Sequence, residues 1–201
     1  MMDNFDILPV FSSPIIRTIV NENTEELKEN SYKLRGAGDR SSVHRRVLEK
    51  HPKIRDILIK NFNDIAKDYF KYDCKFKITT SWFTETNKDE SSHLHNHRNS
   101  FYSGVYYYDE YDENSSSLRF KSPVSEKSDF YLEVDSDKYN YLNSINWIIK
   151  PSKNLLLFFP SYLRHEIQVN NSNIKRCSLA FNIVPVGKYG AKDSIVDTDW
   201  L

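Results

Sequence analysis

Residues 92–100 have the sequence SHLHNHRNS and are followed directly by residues 101–108, FYSGVYYY. Three of the six histidines of the chain fall within this stretch, at alternate positions. Residues i and i+2 of an extended chain point to the same face, and neutral imidazole is the commonest metal ligand in proteins. The spacing therefore predicts a metal site that uses His93 with His95 or His95 with His97, with a further ligand from elsewhere in the chain.

A candidate for that further ligand lies downstream, at His165. The apolar segment 154–159 is typical of a buried strand, and a second strand is predicted at 164–169. His165 stands where the first strand has ended and the next begins. Such a rim position suits a metal ligand.

Arg176 and Ser178 lie two residues apart on the predicted strand 176–184, so their side chains share one face. A guanidinium and a hydroxyl on one face suit a bidentate grip on a carboxylate with one additional hydrogen bond. The alternative is an arginine that pairs with an acid of the fold itself.

Composition narrows the class of protein. The chain has 201 residues, which favours a single domain, and its 28 basic and 28 acidic residues cancel. Zero net charge argues against a protein whose main partner is nucleic acid. Cys74 and Cys177 are too few for a disulfide framework, which favours a reducing cytoplasm. No apolar run is long enough for a membrane span, and the N-terminus carries acids where a secretory signal carries bases.

The sequence pattern of the N-terminal third predicts mainly helical structure. The proline-interrupted segment 7–20 suits an edge strand. Asn23 and Glu26 resemble a capping box that opens a helix through about Leu34, and 35–45 predicts a loop. A second helix is expected from Pro52 to about Lys71, with apolar residues at the 3.6-residue period.

The rest of the chain predicts short strands. Period-two alternation begins at 76–82, and the intervening segments are rich in Ser, Asp and Asn. Further strands are predicted at 101–108, 117–121, 129–133, 145–149, 154–159, 164–169 and 176–184. This order of elements indicates an α+β protein with a sandwich or barrel. We expect one domain over 1–201, with strand and helices in 1–72, the β core in 73–186 and a tail in 187–201.

These residues resemble a known family. The chain is similar to the 2-oxoglutarate-dependent Fe(II) oxygenases, in particular to a family of marine phages and bacteria whose core is similar to that of the prolyl 4-hydroxylases. The similarity spans 76–184. The matching pieces are HNHRNS (95–100), SGVYY (103–107), LRF (118–120), LFFPSYLRH (157–165) and RCSLAFN (176–182).

The resemblance implies a double-stranded β-helix, or jelly-roll, with N-terminal flanking helices and an iron site at one open end. It implies that His95 and His165 are iron ligands. It also implies that Arg176, assisted by Ser178 and Tyr107, binds the far carboxylate of 2-oxoglutarate. The expected reaction is hydroxylation of a C–H bond in a peptide, prolyl or other, or in a small molecule, with O2 consumed and succinate and CO2 released.

The chain departs from the family at one position. Most such enzymes have His-x-Asp or His-x-Glu, whereas here the second residue is His97. We expect His97 to be the third ligand and His93 to be a bystander, although an acid from elsewhere or a water would also complete the site. An imidazole in place of a carboxylate adds one unit of positive charge and alters the redox poise of iron.

Two other functions are compatible with the pattern. One is a cupin-like three-histidine dioxygenase that does not use 2-oxoglutarate, against which Arg176 and Ser178 argue. The other is a non-catalytic jelly-roll binding or structural protein, for instance a phage component. In either case we expect a cytoplasmic protein (host cytoplasm if phage-encoded) with no membrane partner, and one that is free to form oligomers.

Overall fold

The computed structural model describes residues 6–21, 27, 31–35, 38–124 and 138–198. The description that follows concerns these residues. The strands are β1 (Ile16–Ile19), β2 (Tyr32–Leu34), β3 (Arg40–Ser42), β4 (Lys75–Thr86), β5 (Tyr102–Tyr106), β6 (Leu118–Lys121), β7 (Asn146–Ile149), β8 (Leu155–Pro160), β9 (His165–Ile167), β10 (Arg176–Val186), β11 (Lys188–Tyr189) and β12 (Val196–Asp197). One α-helix, α1 (Pro52–Asp68), and two 3₁₀ turns, Val47–Glu49 and Lys192–Ser194, accompany them.

Two antiparallel sheets form the body of the protein. The larger has seven strands in the order β1-β8-β5-β10-β4-β3-β2, and the smaller has three in the order β7-β6-β9. Apolar side chains from β4, β5, β8 and β10 of the large sheet meet those from β6, β7 and β9 of the small sheet in one buried cluster. Two facing sheets with a shared core are the jelly-roll predicted from the sequence.

The second face of the large sheet is covered by α1. Buried residues of the helix, including Leu58 and Phe62, are fully enclosed against Tyr106, Leu179 and Phe181 of the sheet. The 3.6-residue period of the helix supplies this apolar stripe, and Pro52 stands at its first turn as predicted. Because β5 and β10 have alternating side chains, one face of each strand packs on the helix and the other faces the space between the sheets.

Most strand predictions are confirmed, two local predictions are wrong, and one strand prediction stays untested. The segment 7–20 contains β1, which pairs with β8 at the edge of the large sheet as expected. The helix predicted to reach Leu34 is wrong at its end, because residues 32–34 form β2; most of its remaining residues lie outside the described part. The loop predicted at 35–45 contains β3, which pairs with both β2 and β4. The predicted strand 129–133 lies outside the described residues.

Within the predicted tail, residues 187–198 contain a short hairpin of β11 and β12. Among the described residues, no helix is long and apolar enough to cross a membrane.

Candidate metal centre

Three histidines converge at one end of the space between the sheets. His95 and His97 lie in the segment between β4 and β5, and His165 is the first residue of β9. Reciprocal backbone hydrogen bonds join His95 and His165, with N–O distances of 3.0 and 2.8 Å. The His97 N–H donates to the Ser161 carbonyl at 3.0 Å. This backbone pairing fixes the two distant segments side by side.

The imidazole rings lie close enough to share one ion. Their centroids are 5.4 Å apart for His95–His97, 4.5 Å for His95–His165 and 5.0 Å for His97–His165. One ring nitrogen from each lies within 4.8 Å of the other two. The structure therefore brings together the three predicted ligands.

Each Nδ1 atom is held by a hydrogen-bond acceptor. His95 Nδ1 lies 2.7 Å from the His93 carbonyl oxygen, and His165 Nδ1 lies 2.9 Å from the Leu163 carbonyl oxygen. His97 Nδ1 lies 2.7 Å from Asn182 Oδ1. A carbonyl oxygen can only accept, so each Nδ1 carries the proton and each Nε2 has its lone pair free. An acceptor on the second ring nitrogen is characteristic of metal-ligating histidines.

The electrostatic surroundings keep the three imidazoles neutral. Burial, followed by the neighbouring His95, lowers the pKa of His97 to about 4. Burial also lowers the pKa of His165 well below its ordinary value and lowers that of His95. A neutral imidazole is the form that binds a metal ion.

His93 does not join the cluster. Its side chain is exposed, and its contribution to the site is the backbone carbonyl that accepts from His95. The geometry therefore separates His93 from the other two histidines of the motif.

Arg176 lies deeper between the sheets and is almost fully buried, at 1% exposure. Its guanidinium donates to the Ser116 carbonyl at 3.0 Å, to Ser178 Oγ at 3.2 Å and to the Tyr107 hydroxyl at 2.9 Å. It also lies over the Tyr107 ring, 5.0 Å from the centroid. No carboxylate among the described residues pairs with it, which excludes a structural ion pair with any of them.

The buried surroundings of Arg176 can accommodate an anion. Its Ser178 neighbour shares a 2.7 Å hydrogen bond with Thr84. Two further hydroxyls, Thr86 Oγ1 and Ser116 Oγ, are buried and have no hydrogen-bond partner among the described residues. An unpaired cation with spare donors is costly to bury unless an anion completes the set. The site therefore fits an acidic ligand such as a carboxylate.

The two halves of the site share one cavity. Its lining includes the three histidines together with Thr84, Arg176 and Ser178. Neutral nitrogen ligands at one end and an unpaired guanidinium at the other can hold a metal ion and an anionic ligand in the same space.

Four contributing residues were not predicted from the sequence. Ser103 and Asn182 support His97, Thr84 supports Ser178, and Asp39 lines the same cavity near the histidines. By alternation along the strand, Asn182 shares a face with Arg176 and Ser178, and Ser103 shares one with Tyr107. This shared face is the sequence signal that could have identified Asn182 and Ser103. Nothing in the sequence near Thr84 or Asp39 indicates a site.

The part of the chain that carries the three histidines and Arg176 matches a known family. A family model described as "Putative 2OG-Fe(II) oxygenase" matches residues 80–182, about half of the chain. A search of curated proteins finds no sequence match. Phage origin stays a prediction.

Three solved structures illustrate the likeness in fold. The carbocyclase SnoK of nogalamycin biosynthesis is 12% identical with a TM-score of 0.62, covering 90% of this chain and 85% of its own. HygX from Streptomyces hygroscopicus, solved with nickel, 2-oxoglutarate and hygromycin B, is 14% identical with a TM-score of 0.60, covering 86% and 83%. A Pseudomonas putida prolyl-4-hydroxylase is 15% identical with a TM-score of 0.51, covering 75% and 76%.

Proposed function

The chain belongs to the 2OG-Fe(II) oxygenase family, and we propose that its iron is held by His95, His97 and His165. As a member of that family it is an enzyme that uses Fe(II), 2-oxoglutarate and O2. When bound, these groups supply the oxidation of a substrate C–H bond coupled to decarboxylation of 2-oxoglutarate to succinate and CO2. The rival function without 2-oxoglutarate is disfavoured by the family match and by the unpaired Arg176.

One observation carries the assignment of the ligands. An acceptor oxygen fixes the proton of all three imidazoles on Nδ1, so three Nε2 lone pairs are available within one cluster. Chance contacts between surface histidines have no reason to be oriented in this way. His97 thus replaces the carboxylate that most members carry at this position.

Arg176, Ser178 and Tyr107 would bind the far carboxylate of 2-oxoglutarate. The guanidinium already bonds both of the other side chains, so the donors are arranged before the ligand arrives. Preorganised donors bind an anion more tightly because they lose little freedom on binding. The surrounding apolar core of Trp82, Leu118 and their neighbours excludes water from this end.

The ligand assignment is tested by metal titration without oxygen. We expect wild type to bind one Mn²⁺ or Fe²⁺, and H165A to lose at least tenfold in affinity, since a ligand is removed. H93A is the matched control, and its affinity should equal that of wild type. Equal affinity of H165A and wild type would contradict the assignment.

The cosubstrate assignment is tested with the metal-loaded protein. R176M should weaken 2-oxoglutarate binding by roughly 30-fold, because a charge-assisted hydrogen bond contributes about 2 kcal/mol. R119M removes a surface arginine paired with Glu166 and should have no such effect. Succinate formation from 2-oxoglutarate by wild type, and its loss in R176M at limiting 2-oxoglutarate, completes the test.

The substrate class belongs to the same proposal. We infer that the substrate is either a peptide, prolyl or other, or a small molecule. Proteins with this fold support both classes, since they include a prolyl-4-hydroxylase and a protein solved with hygromycin B. Zero net charge favours these classes over nucleic acid. A cytoplasmic location, supported by the free thiols of Cys74 and Cys177, and a single oxygenase domain over 1–201 complete the proposal.

A further inference from the structure

We propose that Asp39 is the outer-sphere counter-charge of the metal centre, a buried carboxylate that offsets the positive charge of an ion held by neutral imidazoles alone. The inference rests on the proposed three-histidine site. It names a residue that binds neither the metal nor 2-oxoglutarate but changes how strongly the centre holds a divalent cation.

The backbone fixes Asp39 beside the metal-binding segment. The Arg35 N–H donates to the Asp39 carbonyl at 2.8 Å, and the Gly38 N–H donates to the Arg35 carbonyl at 3.1 Å. Gly38 has a φ of +97°, and it forms a parallel bridge with Ser91, shortly before the histidine motif. Only glycine adopts this conformation without strain. These backbone contacts hold Asp39 beside the segment that carries His95 and His97.

The Asp39 side chain is buried and faces the site. It is 3% exposed and lines the same cavity as His95, His97 and His165. Arg35 lines the cavity as well, yet no ion pair joins the two residues, and no other described cation pairs with Asp39. Among the described residues, this carboxylate therefore has no counter-ion bonded to it, although burial ordinarily requires one.

Burial of this carboxylate carries an electrostatic cost. Burial raises the pKa of the Asp39 carboxyl, and the attraction of Arg35 and His95 offsets the effect only in part. The charged form is therefore disfavoured in the metal-free protein. A divalent ion at the three histidines supplies the missing positive charge within the same cavity, so metal and carboxylate stabilise each other.

The charge of the ligand set explains why a carboxylate near the ion would matter. With a carboxylate ligand, a divalent ion and its protein ligands carry one net positive charge; with three neutral imidazoles they carry two. Asp39 restores the balance without entering the coordination sphere. Its negative charge should also favour the ferric over the ferrous ion, because attraction grows with the charge on the metal.

The variant D39N tests the inference because it removes the charge and keeps the shape. We expect its affinity for Mn²⁺, measured without 2-oxoglutarate, to be roughly tenfold lower than that of wild type. The Fe(III)/Fe(II) potential should rise, and D39E should recover most of both properties. D56N removes an exposed aspartate on α1 and serves as the matched control, with unchanged affinity and potential.

Thermal unfolding of the metal-free proteins separates this role from a structural one. Metal-free D39N should be as stable as wild type or more stable, since it removes a charge that burial disfavours. A variant that fails to fold, or that is clearly less stable without metal, would contradict the inference. So would D39N with wild-type metal affinity and potential, or a metal-bound structure in which Asp39 is itself a ligand. If wild type binds no metal, the three-histidine site fails, and this inference fails with it.

Discussion

At the scale of single residues, the properties of the site depend on the atoms behind the ligands. His97 is the clearest case, because its Nδ1 lies 2.8 Å from Ser103 Oγ and 2.7 Å from Asn182 Oδ1. The Asn182 amide is itself oriented, since its Nδ2 donates to Thr80 Oγ1 at 3.0 Å. The hydrogen bonds from Thr80 through Asn182 to His97 thus determine which His97 nitrogen faces the other two histidines.

We therefore predict that N182A weakens metal binding while N182D preserves it. Alanine removes the acceptor that holds the His97 proton on Nδ1, and we expect a loss of roughly tenfold in Mn²⁺ affinity. Aspartate presents an acceptor at the same place. Calorimetric titration of both variants is the measurement. Equal loss in the two variants would show that Asn182 acts through packing and not through its hydrogen bond.

Residue-scale prediction from sequence succeeded where alternation decides the outcome. Alternation along the predicted strand 101–108 places Tyr107 on the face opposite Tyr106, and the two tyrosines do lie in different core clusters. Alternation placed His93, His95 and His97 on one face but left open which two would act together, and the family resemblance favoured His95 and His97. Alternation could not reveal the Asn182 contact, because that partner is 85 residues from His97 and the pairing exists only once β5 and β10 are adjacent.

At the scale of elements, Gly104 of β5 leaves room for the Phe181 ring of β10. It lies opposite Phe181 in the register, and the Phe181 ring occupies the space where a side chain would stand. A Cβ on Gly104 would lie 2.2 Å from Phe181 Cζ, well inside contact distance. Close packing therefore requires a glycine in the middle of β5.

G104A should consequently destabilise the protein. Inserting a methyl group into a filled core costs about 2 kcal/mol, which lowers the melting temperature by roughly 4–8 °C at this chain length. The double variant G104A/F181L is the control, since the smaller leucine vacates the ring position. Recovery of part of the loss in the double variant supports the steric cause. Additive losses would contradict it.

Element prediction failed where long-range pairing outweighs local signals. The capping pattern at Asn23 and Glu26 predicted a helix to Leu34, but residues 32–34 pair with β3. Backbone groups of β2 are satisfied by that pairing, and Tyr32 packs against the core beneath α1. In contrast α1 was predicted well, because seventeen residues of apolar periodicity are a stronger signal than a single cap.

At the scale of the whole molecule, the candidate site is assembled from parts that are distant in sequence. His165 belongs to the small sheet, Arg176 to the large sheet, and Asp39 to the residues just before β3. The jelly-roll predicted from the family resemblance explains why His165 and Arg176 lie in one site. The place of β2 and β3 beside β4 was not predicted, and the contribution of Asp39 depends on it.

An ion pair helps to hold that added hairpin to the molecule. Arg40 of β3 donates to both carboxylate oxygens of Glu90 at 2.7 Å, and the Asn87 N–H donates to the same carboxylate at 2.7 Å. Burial alone would raise the pKa of Glu90, but these hydrogen bonds lower it below its ordinary value. The charged carboxylate is thus favoured in the folded protein.

This pKa shift predicts an acid-dependent loss of stability. A lowered folded pKa contributes stability that is fully present above the ordinary value of 4.5 and is lost as the pH falls through the folded value. E90Q should therefore be less stable than wild type by about 1.5 kcal/mol at pH 7, the contribution of a charge-assisted hydrogen bond. The difference should shrink as the pH falls below 4.5. Urea unfolding at pH 7 and pH 3.5 measures it, with E49Q, from the exposed pair with Arg46, as the control. A difference that is the same at both pH values would show that the carboxylate charge does not hold the hairpin.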